Sequence, residues 1–215
     1  MLIVGGGPAG MAAALFLTAR GVPVLVLERN EGPHDDPRAA TYHPPSLELL
    51  EPSGVTAELH ARGIVARNWQ FRDRREGLVA NYDLGVLAPD TPYPYRLQCE
   101  QHKLVAMMER RVAASPLAEI LHGIDVTDVS QDANGVTVRA QPKSAVPLQF
   151  RSSWVVGADG GRSVVRKSQG IDFRGFTWPE RFLVITTTFD FEPLGFAYSS
   201  YTMDPVEWKI GRAHV

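Results

Sequence analysis

The chain opens with Met1-Leu2-Ile3-Val4-Gly5-Gly6-Gly7-Pro8-Ala9-Gly10, and this stretch decides the fold. Its apolar run before the glycines is typical of a buried parallel strand. Pro8 suits the first position of a helix, which needs no N–H donor, and the alanine-rich segment after it reaches Arg20. A second apolar run, residues 22–27, ends at Glu28. The order of these segments predicts a strand–helix–strand (βαβ) unit with its helix from Pro8 to Arg20.

Three glycines in the turn of this unit are spaced as G-x-G-x-x-G, the pattern that binds the pyrophosphate of a dinucleotide. We expect the first glycine to allow the tight turn, the second to let a phosphate approach the backbone, and the third to let the helix pack on the strand. An acidic residue stands eighteen residues after the last glycine, where its carboxylate can accept hydrogen bonds from a ribose diol. The predicted cofactor contacts of this unit are Gly5, Gly7, Pro8, Ala9, Gly10, Glu28 and its neighbour Arg29.

Composition and charge exclude several classes of function. The 215 residues carry a formal net charge of −2, which gives no reason to expect nucleic acid or an acidic membrane surface as a partner. No apolar run approaches the roughly 20 residues of a membrane span. The single cysteine, Cys99, excludes an internal disulfide, predicts a cytoplasmic location, and is expected to be a small buried hydrophobe rather than a nucleophile. The six histidines show no metal-ligand spacing, so no metal site is expected.

The chain after the βαβ unit alternates loops with short elements. Residues 30–45 are rich in proline, glycine and aspartate and predict a loop. Arg38 in this loop is either a phosphate ligand, whose planar fork pairs well with phosphate oxygens, or an ordinary solvated arginine. The aromatic and apolar residues of 64–95 predict strands of a separate sheet, and residues 173–201 predict further strands of it. Residues 118–157 predict a β-meander.

A second glycine-rich segment, Gly157-Ala158-Asp159-Gly160-Gly161-Arg162-Ser163, follows a short apolar run that predicts another parallel strand. The carboxyl end of such a strand is the edge of an open α/β sheet at which ligands bind. Ser163 is placed to cap the helix that we expect next. Asp159 is either a ligand contact at this edge or a turn aspartate that bonds its own backbone.

Together these segments resemble the FAD-dependent aromatic hydroxylases of the para-hydroxybenzoate hydroxylase type, the class A flavin monooxygenases. The glycine turn with its acidic residue resembles the ADP-binding fingerprint of that family. Arg38 and Gln98, the latter opening Gln-Cys-Glu before a predicted helix, resemble its second-segment cofactor contacts, and Asp159 with Gly160 resembles its Asp-Gly motif. The resemblance covers about residues 1–171 and implies that these four residues contact FAD.

The fold that the resemblance implies is α/β: a Rossmann-like FAD-binding domain, with the βαβ unit, a parallel sheet and the β-meander, and an interleaved, incomplete substrate domain built on an antiparallel sheet. We assign residues 1–63 and 96–171 to the first domain and residues 64–95 and 172–209 to the second. The family's third motif, a Gly-Asp sequence that binds the ribityl chain, has no counterpart here, so we expect a fragment that lacks the C-terminal part. Residues 210–215 resemble the translation of a sequencing adapter and are expected to be a non-native tail.

The activity that the resemblance implies is hydroxylation of a small aromatic substrate, usually a phenol. FAD would be the cofactor, NAD(P)H the co-substrate and O2 the oxidant, with a flavin C4a-hydroperoxide as the oxygenating species. No side chain stands out as the catalytic base; Tyr198 and Tyr201 are candidates for the substrate pocket, but equally for the core or the surface. Two alternatives stay open: another FAD-dependent oxidoreductase of the superfamily (a halogenase, an epoxidase or a reductase), or a nucleotide-binding fragment without catalysis.

Overall fold

The computed structural model of the chain describes residues 1–32, 39–142, 146–179, 183–205 and the backbone of 209–212. Its helices are α1 (Pro8–Thr18), α2 (Pro44–Leu50), α3 (Val55–Arg62), α4 (Gln101–Ala113) and α5 (Val164–Ser168). Its strands are β1 (Leu2–Val4), β2 (Val24–Leu27), β3 (Thr41–Tyr42), β4 (Ile64–Ala66), β5 (Asn68–Asp73), β6 (Gly77–Asp83), β7 (Arg96–Gln98), β8 (Ala118–Leu121), β9 (Ile124–Asp132), β10 (Gly135–Pro142), β11 (Leu148–Ser152), β12 (Val155–Gly157), β13 (Ser199–Met203) and β14 (Lys209–Arg212). Within the described ranges, no helix is long and apolar enough to cross a membrane.

The chain divides into two compact units, each formed by two separate stretches of sequence. The first unit contains residues 1–36 and 105–181, and the second contains residues 37–104 and 182–215. These boundaries differ from the domain boundaries expected from the sequence, which divide the chain into a part that would bind FAD and a part that would bind the substrate. The assignment of an FAD-binding domain and a substrate domain therefore stays a prediction.

The first unit is built on a four-stranded parallel sheet with the order β12-β1-β2-β8. The predicted βαβ unit is present, although α1 ends two residues before Arg20, in a turn whose Gly21 has a φ of +77°. β8 corrects the predicted β-meander: it pairs in parallel with β2, Val24 opposite Ala118, and extends the parallel sheet. Periodicity could not show this, because a short apolar run reads the same in a meander strand and in a parallel strand.

An antiparallel meander of β9, β10 and β11 covers one face of this parallel sheet. A buried cluster joins side chains of the two sheets: Leu2, Val4, Leu27, Ile124, Val126, Val129, Val138 and Ala140. Ile3 and Val26 alternate with the sheet members of this cluster, point to the opposite face and are also completely buried. Full burial of each such side chain contributes roughly 1.5–3 kcal/mol, so the sheet is fixed from both faces.

The second unit contains two further sheets. A small antiparallel sheet has the order β3-β7-β4, and a larger one has the order β14-β13-β5-β6. The larger sheet is mixed rather than purely antiparallel, since β13 pairs in parallel with β5, Tyr201 opposite Phe71. The charged residues between β5 and β6 form a hairpin turn, with Gly77 at a φ of +83°.

The apolar residues before β13 do not form the strands that the sequence predicts. The described residues 183–191 have no regular structure, and Leu183 and Ile185 are 85% and 74% exposed. The prediction for these residues was wrong because apolar character makes a strand only where another strand supplies hydrogen-bond partners. Phe182, which belongs to the segment 173–201 that predicts strands, lies outside the described residues.

Candidate cofactor-binding site

The glycine turn after β1 contacts the loop after β12. Gly5 has a φ of +102°, and a Cβ on it would lie 2.5 Å from the carbonyl oxygen of Ala158 and 3.0 Å from the backbone nitrogen of Asp159. The N–H of Ala158 donates a hydrogen bond of 2.8 Å to the carbonyl of Val4. Only glycine therefore fits at position 5, both for its backbone conformation and for the close approach of the two loops.

The first turn of α1 packs against the glycine turn that follows β1. A Cβ on Gly10 would overlap the carbonyl oxygen of Gly5, so the helix can contact the turn only because position 10 has no side chain. Pro8 occupies the first turn of the helix, and the N-terminus of α1 has no side-chain cap. Its first N–H groups and the positive end of the helix dipole are thus left for an anion.

Gly7 stands at the N-cap of α1 for a different reason from the other two glycines. Its φ of −71° and ψ of −174° are ordinary extended values that any residue adopts. A Cβ on Gly7 would meet no protein atom within 4 Å. Neither backbone conformation nor protein packing requires glycine here, so the predicted approach of a pyrophosphate to the helix N-terminus stays the reason for glycine at this position.

The carboxylate of Glu28, at the end of β2, fastens the turn from the other side. Its Oε2 accepts a hydrogen bond of 2.6 Å from the N–H of Gly6. Its Oε1 accepts from the backbone N–H of Asn30 at 2.9 Å and from the side-chain amide of Asn30 at 2.6 Å. Three of the roughly four acceptor positions of the carboxylate are used, which leaves capacity at Oε2 for the predicted ribose contact. No pattern in the sequence points to this role of Asn30.

The carboxylate of Asp159 caps the short helix that follows it. Oδ1 accepts a hydrogen bond of 2.6 Å from the hydroxyl of Ser163, and Oδ2 accepts from the N–H groups of Val164 and Val165 at 2.6 and 3.2 Å. Ser163 in turn accepts from the N–H of Arg166 at 3.0 Å, so its predicted role as helix cap is confirmed. The turn-aspartate alternative thus describes what this carboxylate does within the chain, and its contact with FAD stays a prediction.

The predicted residues of the first unit meet at one edge of the parallel sheet, which we call the glycine edge. Gly5, Glu28 and Ala158 each follow the last residue of a strand, and these strands, β1, β2 and β12, are neighbours. The carboxyl edge of neighbouring parallel strands is where open α/β sheets bind ligands. Gly160 completes the edge with a φ of +78° that favours glycine, and Arg29 is exposed beside it. Arg38 lies outside the described residues.

Gln98 belongs to the second unit and is completely buried in β7. Its Oε1 accepts a hydrogen bond of 2.9 Å from the hydroxyl of Thr41 on the paired strand β3. Its Nε2 is buried and has no acceptor among the described residues. An amide donor left in this state costs about 1–3 kcal/mol, so a ligand acceptor at this point would be favourable. Thr41 was missed in the sequence because its register with Gln98 joins strands 57 residues apart.

Cys99, the residue after Gln98, is a buried thiol. Its side chain is 1% exposed, and burial, with a smaller contribution from Glu100, raises its pKa. A thiol held in its neutral form is a poor nucleophile, because the thiolate is the reactive species. The prediction of a small buried hydrophobe at this position is confirmed.

The larger sheet of the second unit carries four aromatic rings, Trp69, Phe71, Tyr82 and Tyr201, which we call the aromatic face. Tyr201 stands opposite Phe71 across β13 and β5, and Tyr82 stands opposite Trp69 across β5 and β6. The Phe71 and Tyr201 rings stack with centroids 5.5 Å apart, and the Trp69 ring lies 4.8 Å from that of Phe71. Of the two candidate pocket tyrosines, Tyr201 is in this cluster.

The fold and the glycine edge define a dinucleotide-binding protein of the Rossmann-like type, and similarity identifies its family. The chain belongs to the FAD binding domain family, whose model matches residues 1–203. The predicted family and the predicted α/β fold class are thereby confirmed. The uncapped helix N-terminus beside Gly7 and the unpaired buried donor of Gln98 fit FAD, which is rich in oxygen acceptors.

The relatives of the chain are aromatic monooxygenases. It is 32% identical over 210 residues to para-nitrophenol 4-monooxygenase of Pseudomonas sp. (strain WBC-3), covering 98% of this chain and 52% of that protein. It is 35% identical over 211 residues to 6-hydroxy-3-succinoylpyridine 3-monooxygenase HspB of Pseudomonas putida, covering 98% and 53%. The crystal structure of p-nitrophenol 4-monooxygenase PnpA from Pseudomonas putida DLL-E4 matches with a TM-score of 0.90 and 33% identity, over 97% of this chain and 53% of that one. The chain thus spans about half the length of the relatives it matches.

Proposed function

We propose that this chain is the FAD-binding portion of an aromatic monooxygenase that hydroxylates a phenol-type ring with NAD(P)H and O2. The observation that carries the proposal is the meeting of three strand ends on the glycine turn, in a chain that superposes on a nitrophenol monooxygenase with a TM-score of 0.90. The similarity to a flavin-dependent monooxygenase in complex with FAD and substrate, at 29% identity and a TM-score of 0.74, supports the same cofactor.

The residues of the first unit would bind the adenosine half of FAD. The N-terminus of α1, reached past Gly7, would attract the pyrophosphate through its N–H groups and its dipole. Oε2 of Glu28 would accept from a ribose hydroxyl, since its remaining acceptor capacity lies there. The positive helix end and the carboxylate differ in sign, so the two groups would bind the phosphate and sugar portions in one orientation.

Residues of the second unit would contact FAD through Gln98 and the aromatic substrate through the aromatic face. Gln98 would donate from Nε2 to an acceptor of FAD, and Thr41 would hold the amide in the orientation that this requires. The aromatic face would pack against the ring of the substrate and exclude water from it. Bound FAD would supply the redox chemistry, accepting a hydride from NAD(P)H and delivering oxygen from O2 to the ring.

The first experiment asks whether the chain binds FAD. The purified 215-residue chain is titrated with FAD while flavin fluorescence and absorbance are recorded, with FMN and NADH as comparison ligands. We expect weak, saturable binding of FAD and weaker binding of FMN, which lacks the adenosine half that the glycine edge would hold. Equal binding of FAD and FMN would contradict the proposed site.

The second experiment asks which reaction the parent enzyme performs. The full-length parent is assayed with 4-nitrophenol and other phenols, and NAD(P)H oxidation is compared with the hydroxylated product formed. We expect a substrate-dependent product in proportion to NAD(P)H consumed. NAD(P)H oxidation without any oxygenated product would instead indicate an FAD-dependent oxidoreductase of another kind.

A further inference from the structure

The turn between β8 and β9 binds the backbone of the segment that carries Glu28. The carbonyl of Leu121 accepts a hydrogen bond of 2.9 Å from the N–H of Glu28, and the N–H of Ile124 donates one of 2.9 Å to the carbonyl of Glu28. The N–H of Gly123, whose φ is +71°, donates to the carbonyl of Asn30 at 3.0 Å. The end of β2 is thus held by a turn that no motif in the sequence marks.

His122, in the same turn, adds a side-chain link between Asn30 and helix α4. Its Nδ1 lies 3.3 Å from the carbonyl oxygen of Asn30, and its Nε2 lies 2.9 Å from Oε1 of Glu109. A carbonyl and a carboxylate both accept hydrogen bonds, so the ring donates to both partners only in its protonated form. The side chains of His122 and Glu109 are 29% and 23% exposed, and a pair so covered is screened less than a surface pair.

The link continues through Asn30 to the carboxylate of Glu28. Asn30 donates to Oε1 from its backbone N–H and from its side-chain amide, while Gly6 donates to Oε2. The carboxylate is therefore fixed at both oxygens, and the residue that fixes Oε1 is itself bound by His122. Glu28, Asn30, Glu109 and His122 all lie in the first unit.

We infer that His122 and Glu109 are positioning residues for the cofactor: they hold Asn30 so that Glu28 presents Oε2 to the 2′-hydroxyl of the adenosine ribose. The inference rests on the proposed function, because it presupposes that Glu28 accepts from that ribose. Hydrogen bonds weaken steeply when they are misaligned, and a carboxylate that is already fixed loses little freedom when the ribose binds. Without His122, Asn30 loses one of its anchors and the carboxylate is less well oriented.

The test measures the preference for the ribose hydroxyl. The isotope-labelled chain is titrated with ADP and with 2′-deoxy-ADP, and binding is followed by NMR chemical shifts. A charge-assisted hydrogen bond gives the wild type an expected preference for ADP of roughly 10- to 100-fold. His122→Phe keeps a ring and removes both contacts, so it should lower this preference by about three- to tenfold and leave the affinity for 2′-deoxy-ADP unchanged.

Further variants separate positioning from a merely structural role. Glu109→Gln keeps the acceptor at Oε1 and should retain most of the preference, whereas Glu109→Leu should lose as much as His122→Phe does. In a Glu28→Ala chain, His122→Phe should change neither nucleotide affinity, because it acts through that carboxylate. Arg139→Met is the matched control: it removes another ion pair of the first unit, with Asp128 at 2.6 Å across β9 and β10, and should leave the preference unchanged.

Amide hydrogen exchange gives a readout that needs no nucleotide. The N–H of Gly6 donates to the Glu28 carboxylate, so it should exchange faster in the His122→Phe chain than in the wild type. The N–H of Ala158, at the same edge of the sheet, donates to the carbonyl of Val4 instead and should exchange at the wild-type rate. Faster exchange at Gly6 alone would locate the change at the carboxylate.

The outcomes separate the inference from its alternatives. A folded His122→Phe chain with the wild-type preference and wild-type exchange at Gly6 would overturn it, and an equal loss of affinity for both nucleotides would leave His122 a structural residue only. If circular dichroism shows that His122→Phe does not fold, the comparison of Glu109→Gln with Glu109→Leu decides. FAD titration of the same samples keeps the proposed function separate: intact FAD binding with no change of ribose preference in the variants contradicts only the positioning role, whereas a wild-type chain that binds no FAD contradicts the proposed function as well.

Discussion

The Gly7→Asp substitution should stabilise the fold while weakening FAD binding. Gly7 has extended backbone angles and stands at an N-cap without a side-chain cap, and a Cβ added to it would have no protein atom within 4 Å. Aspartate is among the best N-cap residues, whereas glycine is a weaker one. The new carboxylate would accept hydrogen bonds from the same N–H groups that the pyrophosphate needs.

Gly7→Asp should raise the free energy of unfolding by a small amount and lower FAD affinity by a large amount. The cap and the favourable charge at the helix N-terminus should contribute about 0.5–1 kcal/mol to the free energy of unfolding, which raises the melting temperature by about 1–4 °C in a chain of this length. Two negative charges about 4 Å apart at an effective dielectric constant of 20 repel by about 4 kcal/mol. FAD affinity should therefore fall by about 100-fold or more.

Thermal unfolding by circular dichroism and FAD titration by flavin fluorescence measure the two quantities on the same samples. Gly7→Ala adds a Cβ without a charge, and Gly32→Asp adds the same charge in the same unit, also with no protein atom within 4 Å of the new Cβ. We expect Gly32→Asp to change FAD affinity less than Gly7→Asp does, because its carboxylate does not stand at the N-cap of α1 and the effect of a charge on a helix end falls off beyond the first turn. A Gly7→Asp chain that binds FAD as the wild type does would refute the assignment of the helix N-terminus to the pyrophosphate.

Three further substitutions or titrations test other parts of the same geometry. Gly10→Ala, whose Cβ would overlap the Gly5 carbonyl oxygen, should lower the free energy of unfolding by about 1–3 kcal/mol; an unchanged denaturation midpoint would show that the turn can move. Thr41→Val should weaken FAD binding by about tenfold while Thr41→Ser does not, because only the hydroxyl orients the Gln98 amide; equal effects of both would show that methyl packing matters instead. Burial, with Glu51 nearby, raises the pKa of Tyr93 to about 12, so the folded chain holds the phenol proton more tightly than the unfolded chain does. The stability that this proton binding contributes is complete below about pH 10 and is lost as the pH rises towards 12. Tyrosinate absorbance of the folded and the unfolded chain, recorded against pH, would show or disprove the difference.

Sequence patterns predicted the local parts of the fold. The helix of the βαβ unit, its strands, the amphipathic helix α4 and the Ser163 cap depend on residues within one or two turns of each other, and all of them could be predicted. Errors fell on elements defined by distant partners. β8 looked like a meander strand, and residues 183–191 looked like strands, because a run of apolar residues does not reveal which backbone it will pair with.

In the candidate site, too, the sequence predicted residues of one local motif, and only the structure showed the distant partners. Glycine spacing alone pointed to Gly5, Gly7 and Gly10. The structure shows that Gly5 and Gly10 are needed for contacts within the turn, and the contact of Gly7 with the ligand stays a prediction. The partners of Glu28 and Asp159 within the chain came from the structure, which showed both carboxylates already holding backbone N–H groups. The contacts of these two carboxylates with FAD stay predictions, and the hydrogen bonds that the carboxylates already accept limit which oxygen lone pairs such contacts can use.

What the sequence determined by itself was the βαβ unit, because strand, glycine turn, helix and acidic residue are all encoded within thirty adjacent residues. What only the tertiary structure decided was which distant side chains contact each other: Thr41 with Gln98, and Arg96 with Trp69 and Ser199. The physical reason is that hydrogen bonds and stacking act over a few ångströms of space. Only the folded register of strands far apart in the chain brings such groups within that distance.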